Sequence, residues 1–111
     1  MIDNADFIAE LKYRTTEQGG RKTPANSGYR PHLKFEFTEM LTSGHQFFIG
    51  TDLVNPGETV LAQIGMNSTY HYEGKLELGT EFKFCEGSVI IGIGKITEII
   101  NKSLEKKKAS T

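Results

Sequence analysis

Gly19-Gly20-Arg21-Lys22-Thr23-Pro24-Ala25-Asn26-Ser27-Gly28-Tyr29-Arg30-Pro31 runs directly into His32-Leu33-Lys34-Phe35-Glu36-Phe37-Thr38. The first part is rich in backbone-special residues. Gly19 and Gly20 open angles that a side chain forbids. Pro24 and Pro31 fix φ and push Thr23 and Arg30 towards extended backbone. Arg21, Lys22, Tyr29 and Arg30 sit between these fixed points, so the stretch reads as an ordered loop carrying cations. It is either a long hairpin connection with solvated charges or an anion-binding element. The second part alternates, with Leu33, Phe35 and Phe37 inward and His32, Lys34, Glu36 and Thr38 outward, which is the period of a half-buried strand.

The same period recurs outward from this point. Phe7, Ala9, Leu11 and Tyr13 share one face of residues 5–15. Val60, Ala62, Ile64 and Met66 share one face after the turn signal Asn55-Pro56-Gly57. A turn is expected at Thr42-Ser43-Gly44 and a strand at 46–50. A short strand is expected at 75–78. Phe82 and Phe84 point inward before a tight turn at Glu86-Gly87-Ser88. Val89, Ile91 and Ile93 then form a buried face, with Gly92 and Gly94 on the other. Residues 96–108 have helical spacing at Ile96, Ile99, Ile100 and Leu104. The expected core holds Leu11, Leu33, Phe35, Phe37, Val60, Phe82, Phe84 and Ile91. Many short strands with little helix make an all-β closed barrel or sandwich.

The chain has 111 residues, 37% apolar and 24% charged, which suits one soluble globular domain with one core. That domain is expected over 1–100, with 101–111 a short basic tail that begins helical and ends disordered. The single cysteine, Cys85, excludes an internal disulfide and fits a reducing, cytoplasmic compartment. No signal peptide and no bilayer-length apolar run is visible.

The net charge of −1 hides an uneven distribution. Residues 14–34 carry five cations against Glu17, a local charge of +4, while 35–101 carry nine acids against three lysines, −6. A concentrated basic end points to a polyanion or an acidic protein surface.

Catalytic motifs are missing from the sequence. There is no Gly-x-x-x-x-Gly-Lys-[Ser/Thr] loop to cradle phosphates. Gly92-Ile93-Gly94 lacks the third glycine of a dinucleotide loop. His32, His45, His71 and Cys85 have no metal-ligand spacing. Tyr70-His71-Tyr72 is either a stacking surface for bases or an ordinary strand-end cluster. The expectation is a non-enzyme with no cofactor and no metal.

Four short motifs stand in order: Gly-Gly-Arg-x-Thr-Pro with Gly-Tyr-Arg-Pro; Asp52-Leu53-Val54-x-Pro56-Gly57-Glu58; Leu78-Gly79-Thr80-Glu81-Phe82; and Glu86-Gly87 followed by Gly92-Ile93-Gly94. Together they resemble the third domain of translation elongation factor Tu, over roughly residues 5–100. The resemblance implies a six-stranded antiparallel closed barrel. It also implies contact with the T-stem of aminoacyl-tRNA, with a GTPase domain and with an exchange factor, while GTP hydrolysis belongs to another domain. The matching tRNA-contact positions are Arg21, His32, Glu86 and Gly87. Lys22 and Arg30 add charge beside them, so the expected RNA-binding set is Arg21, Lys22, Arg30, His32, Glu86 and Gly87. A guanidinium forks onto phosphate oxygens, and Glu86 can accept from a 2′-hydroxyl. Arg21 is expected to be exposed.

The sequence departs from the family at Lys22, where His is usual, and at Ala25-Asn26, where an aromatic pair is usual. Ser88 and Val89 replace a Gly and an Arg, and Asn67–Glu73 looks inserted. A free-standing relative is expected, starting at its own Met. Its partner is tRNA or another structured RNA. The alternative is a protein-interaction module that mimics the domain and binds a GTPase, exchange factor or toxin. DNA and membrane are not expected partners.

Overall fold

The computed structural model describes residues 4–107. Its strands are β1 (Phe7–Tyr13), β2 (Ala25–Asn26), β3 (His32–Phe35), β4 (Thr42–Phe48), β5 (Leu53–Val54), β6 (Thr59–Met66), β7 (Glu81–Glu86) and β8 (Val89–Ile99). Six of them close an antiparallel barrel in the order β1-β6-β4-β3-β7-β8, with β8 returning to β1. The fold is all-β, as the alternation predicts, and of the barrel and sandwich that the alternation allows it is the closed six-stranded antiparallel barrel. The short strands β2 and β5 pair with each other outside it. No helix among the described residues is long and apolar enough to cross a membrane.

The alternation sets the core. Phe7, Ala9, Leu11 and Tyr13 all point into the barrel, and Leu33, Phe35, Val60, Phe82, Phe84 and Ile91 join them. Asn55-Pro56-Gly57 turns the chain as its residues dictate: Gly57 takes φ 88° and the Glu58 amide donates to the Asn55 carbonyl at 3.1 Å. The expected turn at Thr42-Ser43-Gly44 is instead the start of β4. Gly44 is there because Leu33 leaves no room for a Cβ: its Cδ1 would lie 2.7 Å away.

Phe37 is not core. Strand β3 ends at Phe35, the chain turns at Glu36-Phe37, and the period of two stops with the sheet. Phe37 is 43% exposed and rests its ring against Phe35 and Tyr72. Nor do residues 75–78 form a strand; Leu76 makes one parallel bridge, to Glu105. The expected helix from Ile96 is also absent, because β8 continues to Ile99. One 3-10 turn follows at Lys102–Leu104 and buries Leu104. Lys108 and the residues beyond it, where the tail was expected to be disordered, lie outside the described part.

Of the expected inward face of β8, only Ile91 is buried. Gly92 and Gly94 face inward, and Val89 and Ile93 are exposed. Register explains this: Phe84 pairs with Gly92, and Phe82 with Gly94. Each ring lies over its glycine. A Cβ on Gly94 would sit 2.6 Å from Phe82 Cε2. One on Gly92 would sit 2.8 Å from Phe84 Cε1 and 2.5 Å from the Lys12 carbonyl oxygen. Between these pairs and the turn, Ile91 is an extra residue in β8, and its carbonyl accepts from the Arg14 amide at 2.8 Å.

Gly94→Ala should therefore destabilise the barrel by about 1–3 kcal/mol through overpacking, and Phe82→Leu should partly rescue it. Gly92→Ala should not be rescued by Phe84→Leu, because the Lys12 backbone remains in the way. Urea denaturation of the four variants checks both statements.

Candidate nucleic-acid interface

The basic loop is ordered by backbone pairing. The Gly20 amide donates to the Thr15 carbonyl at 2.9 Å, and Thr16 Oγ1 donates to the Arg21 carbonyl at 2.7 Å. Ala25 pairs with Val54, and both are buried in the core. From Gly28 to Pro31 the chain lies along β4: the Gly28 amide donates to the Gln46 carbonyl at 2.7 Å and the Gln46 amide donates to the Tyr29 carbonyl at 2.8 Å. An extended, core-anchored loop is what Pro24, Pro31 and the flanking glycines allow.

This path carries Arg21 to the turn between β7 and β8. Its guanidinium pairs with Glu86, whose Oε2 also accepts from the Tyr29 hydroxyl. The guanidinium lies over the Tyr29 ring, 4.8 Å from its centroid. Nε donates to the Thr23 carbonyl at 3.2 Å, and Nη2 donates to Thr23 Oγ1 at 3.2 Å and to the Pro24 carbonyl at 3.4 Å. The Arg21 side chain is only 23% exposed, contrary to the expected exposure, and most of its donors are already used. It ties the loop to itself and to Glu86.

The remaining residues of the expected site fall around this cluster. Glu86 is 44% exposed on its side chain, and no described residue donates to its Oε1. Gly87, at φ 57°, opens the turn and is exposed. His32 is exposed on β3, opposite Cys85, and lines the same groove as Gly87. Lys22 and Arg30 are exposed and form no ion pair with a described residue. Cys85 is a buried filler beside the bulge. Tyr70 and His71 meet edge to face at 87°, while Tyr72 turns inward, so the three rings form no shared stacking platform.

Beneath the cluster lies a polar pair that the sequence did not reveal. Tyr13 donates its hydroxyl to Gln46 Oε1 in the interior, and Gln46 is fully buried. Tyr13 and Tyr29 approach at 6.4 Å between ring centroids, so the buried pair touches the surface cluster. Burial first, and then the neighbouring phenol, push the Tyr13 hydroxyl pKa well above its ordinary range. Burial and the bond to Glu86 do the same for Tyr29. For Arg21, burial opposes the charge, but the bonds to Glu86 and Tyr29 outweigh it and hold the guanidinium more firmly protonated. Among the described residues, no three His, Cys, Asp or Glu side chains gather where a metal ion would sit. No protein-family model matches the chain.

Two outcomes follow from this geometry. Arg21→Ala should cost about 1–2 kcal/mol of stability, most of it from the lost loop bonds and ring packing, since the ion pair itself is partly solvated. A thermal melt beside Arg21→Lys, which restores charge without the fork, measures this. The two phenols give a pH dependence. Their folded pKa values are raised, so their contribution is whole below about pH 10, where free tyrosine ionises, and is lost as pH rises further. Urea midpoints should be flat from neutral pH to about 10 and then fall. The fall should be shallower in Tyr13→Phe and Tyr29→Phe.

Proposed function

We propose that this chain is a non-catalytic binding module related to the third domain of elongation factor Tu, and that it binds tRNA or another structured RNA. The observation carrying this reading is the meeting of two distant motifs. The Gly19–Pro31 loop and the Glu86-Gly87 turn join through Arg21, Tyr29 and Glu86 into one cluster. In this reading Arg21 is a positioning residue. It presents Glu86, whose Oε1 accepts from a ribose 2′-hydroxyl, and Gly87 lets the RNA backbone approach closely. Lys22 and Arg30 meet phosphates, and His32 extends the surface along β3. The lone Cys85 supports a reducing, cytoplasmic setting.

The alternative, a protein-interaction module facing a GTPase, exchange factor or toxin, is favoured by one other observation. Phe37, Met40 and Leu41 are all exposed on the segment between β3 and β4.

Filter binding of a tRNA transcript over a salt series separates the two. Lys22→Ala and Arg30→Ala should each flatten the log–log salt slope by about 0.7–0.9, one released phosphate contact apiece. Glu86→Ala should weaken binding without changing the slope much, since it removes a hydroxyl contact. Wild-type protein that fails to bind tRNA even at low ionic strength would leave the protein-interaction reading in its place.

A further inference from the structure

A row of lysines crosses the outer wall of the barrel beside the loop cluster, and two of them, Lys34 and Lys83, line the groove that holds His32 and Gly87. Lys12 on β1 pairs with Ile93 on β8, Ile93 pairs with Lys83 on β7, and Lys83 pairs with Lys34 on β3. All four side chains are exposed. Neighbouring strands lie about 4.8 Å apart, so the row runs about 14 Å across four strands. Lys34 and Lys83 are directly opposite, an arrangement that costs stability when both are charged. No described residue forms an ion pair with Lys12, Lys34 or Lys83.

The adjacent row on the same wall is built differently. Glu10 pairs with Lys95, and Lys95 pairs with Glu81, so charges alternate in sign across β1, β8 and β7. One row alternates in sign and the next is all cation around an apolar centre. Glu36 and Glu81 share with Lys34 and Lys83 an open groove of about 420 Å³, and they set its acidic border. A line of exposed like charges is eased when an external anion neutralises it. A single phosphate is too small to span about 14 Å, whereas a linear polyanion meets the row at several points. The row holds Ile93 and no aromatic ring, so it offers charge without a surface for base stacking. That combination fits the sugar-phosphate backbone of a double-helical stretch, gripped without regard to sequence.

We infer that Lys12, Lys83 and Lys34 form a second RNA-backbone contact surface, a track that engages the phosphates of a structured RNA beside the loop cluster. The inference rests on the RNA reading above for the identity of the polyanion, but uses none of the residues of that site.

The test measures binding of a tRNA transcript and of a blunt RNA duplex across a salt series. It compares wild type, the track variant Lys34→Gln/Lys83→Gln, Lys12→Gln, and the loop variant Lys22→Ala/Arg30→Ala. The track variant should flatten the log–log slope by about 1.4 to 1.8 on both RNAs, and Lys12→Gln by about 0.7 to 0.9. The track variant should melt at or above the wild-type temperature, because a like-charge pair has been removed. Unchanged slopes in the track variant, with a flattened slope in the loop variant, overturn the track and leave the loop site standing. The reverse pattern overturns the loop site and keeps the track. An effect of Lys34→Gln/Lys83→Gln without any effect of Lys12→Gln overturns the row in favour of a local pocket. Wild type that binds neither RNA at low ionic strength overturns both. Phosphatidylserine vesicles are the last arm: binding to them alone, lost in the track variant, makes the wall a membrane contact and overturns the RNA assignment.

Discussion

Two phenylalanine rings lying over two glycines hold the β7–β8 side of this barrel at its observed curvature. Phe82 and Phe84 project from β7 across the space that side chains on Gly94 and Gly92 would occupy. The contact brings β8 close enough for the Lys12 backbone on β1 to pack against Gly92, which is where the barrel closes. Phe82 also meets Phe7 edge to face at 5.6 Å, and Phe84 meets Tyr13 at 4.9 Å, so the same rings tie β7 to the first strand through the core. Closure satisfies the backbone of both would-be edge strands, which an open six-stranded sheet would leave unpaired.

The loop cluster is an extension of that packing. Phe84 supports Tyr13, Tyr13 bonds to buried Gln46 and faces Tyr29, and Tyr29 shares Glu86 with Arg21. A continuous chain of contacts thus runs from the core to the one part of the surface where both quoted loop motifs meet. One member of this chain is left short: Gln46 Oε1 accepts from Tyr13, but its Nε2 is buried with no hydrogen-bond partner among the described residues. Arg21, with its donors turned to Thr23, Pro24 and Glu86, supports the surface rather than standing on it as a free cation.

The barrel wall shows how the same strands carry two kinds of surface. On one row Glu10, Lys95 and Glu81 alternate in sign; on the next, Lys12, Lys83 and Lys34 are all cations. Lys34 directly opposite Lys83 is an arrangement that disfavours the free protein when both are charged.

Much of the fold was legible in local sequence. The alternation of Phe7 to Tyr13, Leu33 to Phe35, Val60 to Ile64 and Phe82 to Phe84 determined four strands and their inward faces, because a period of two with one apolar face has a single buried solution. Asn55-Pro56-Gly57 determined its own turn, and the prolines and glycines of 19–31 made that loop ordered. Tertiary structure alone decided the orientation of β8. Apolarity alone would send Val89, Ile91 and Ile93 inward together; the rings of β7 fill the space at Gly92 and Gly94, so Val89 and Ile93 turn outward while Ile91, at the bulge, stays buried. Tertiary structure also ended β3 before Phe37, since nothing local marks where a pairing partner runs out. The six residues of the candidate site could be named from motifs, but not their connections. Glu86 is 65 positions from Arg21, and Lys12, Lys83 and Lys34 are aligned only by strand register. Such pairings depend on how the barrel closes, and closure is set by packing between segments far apart in the chain.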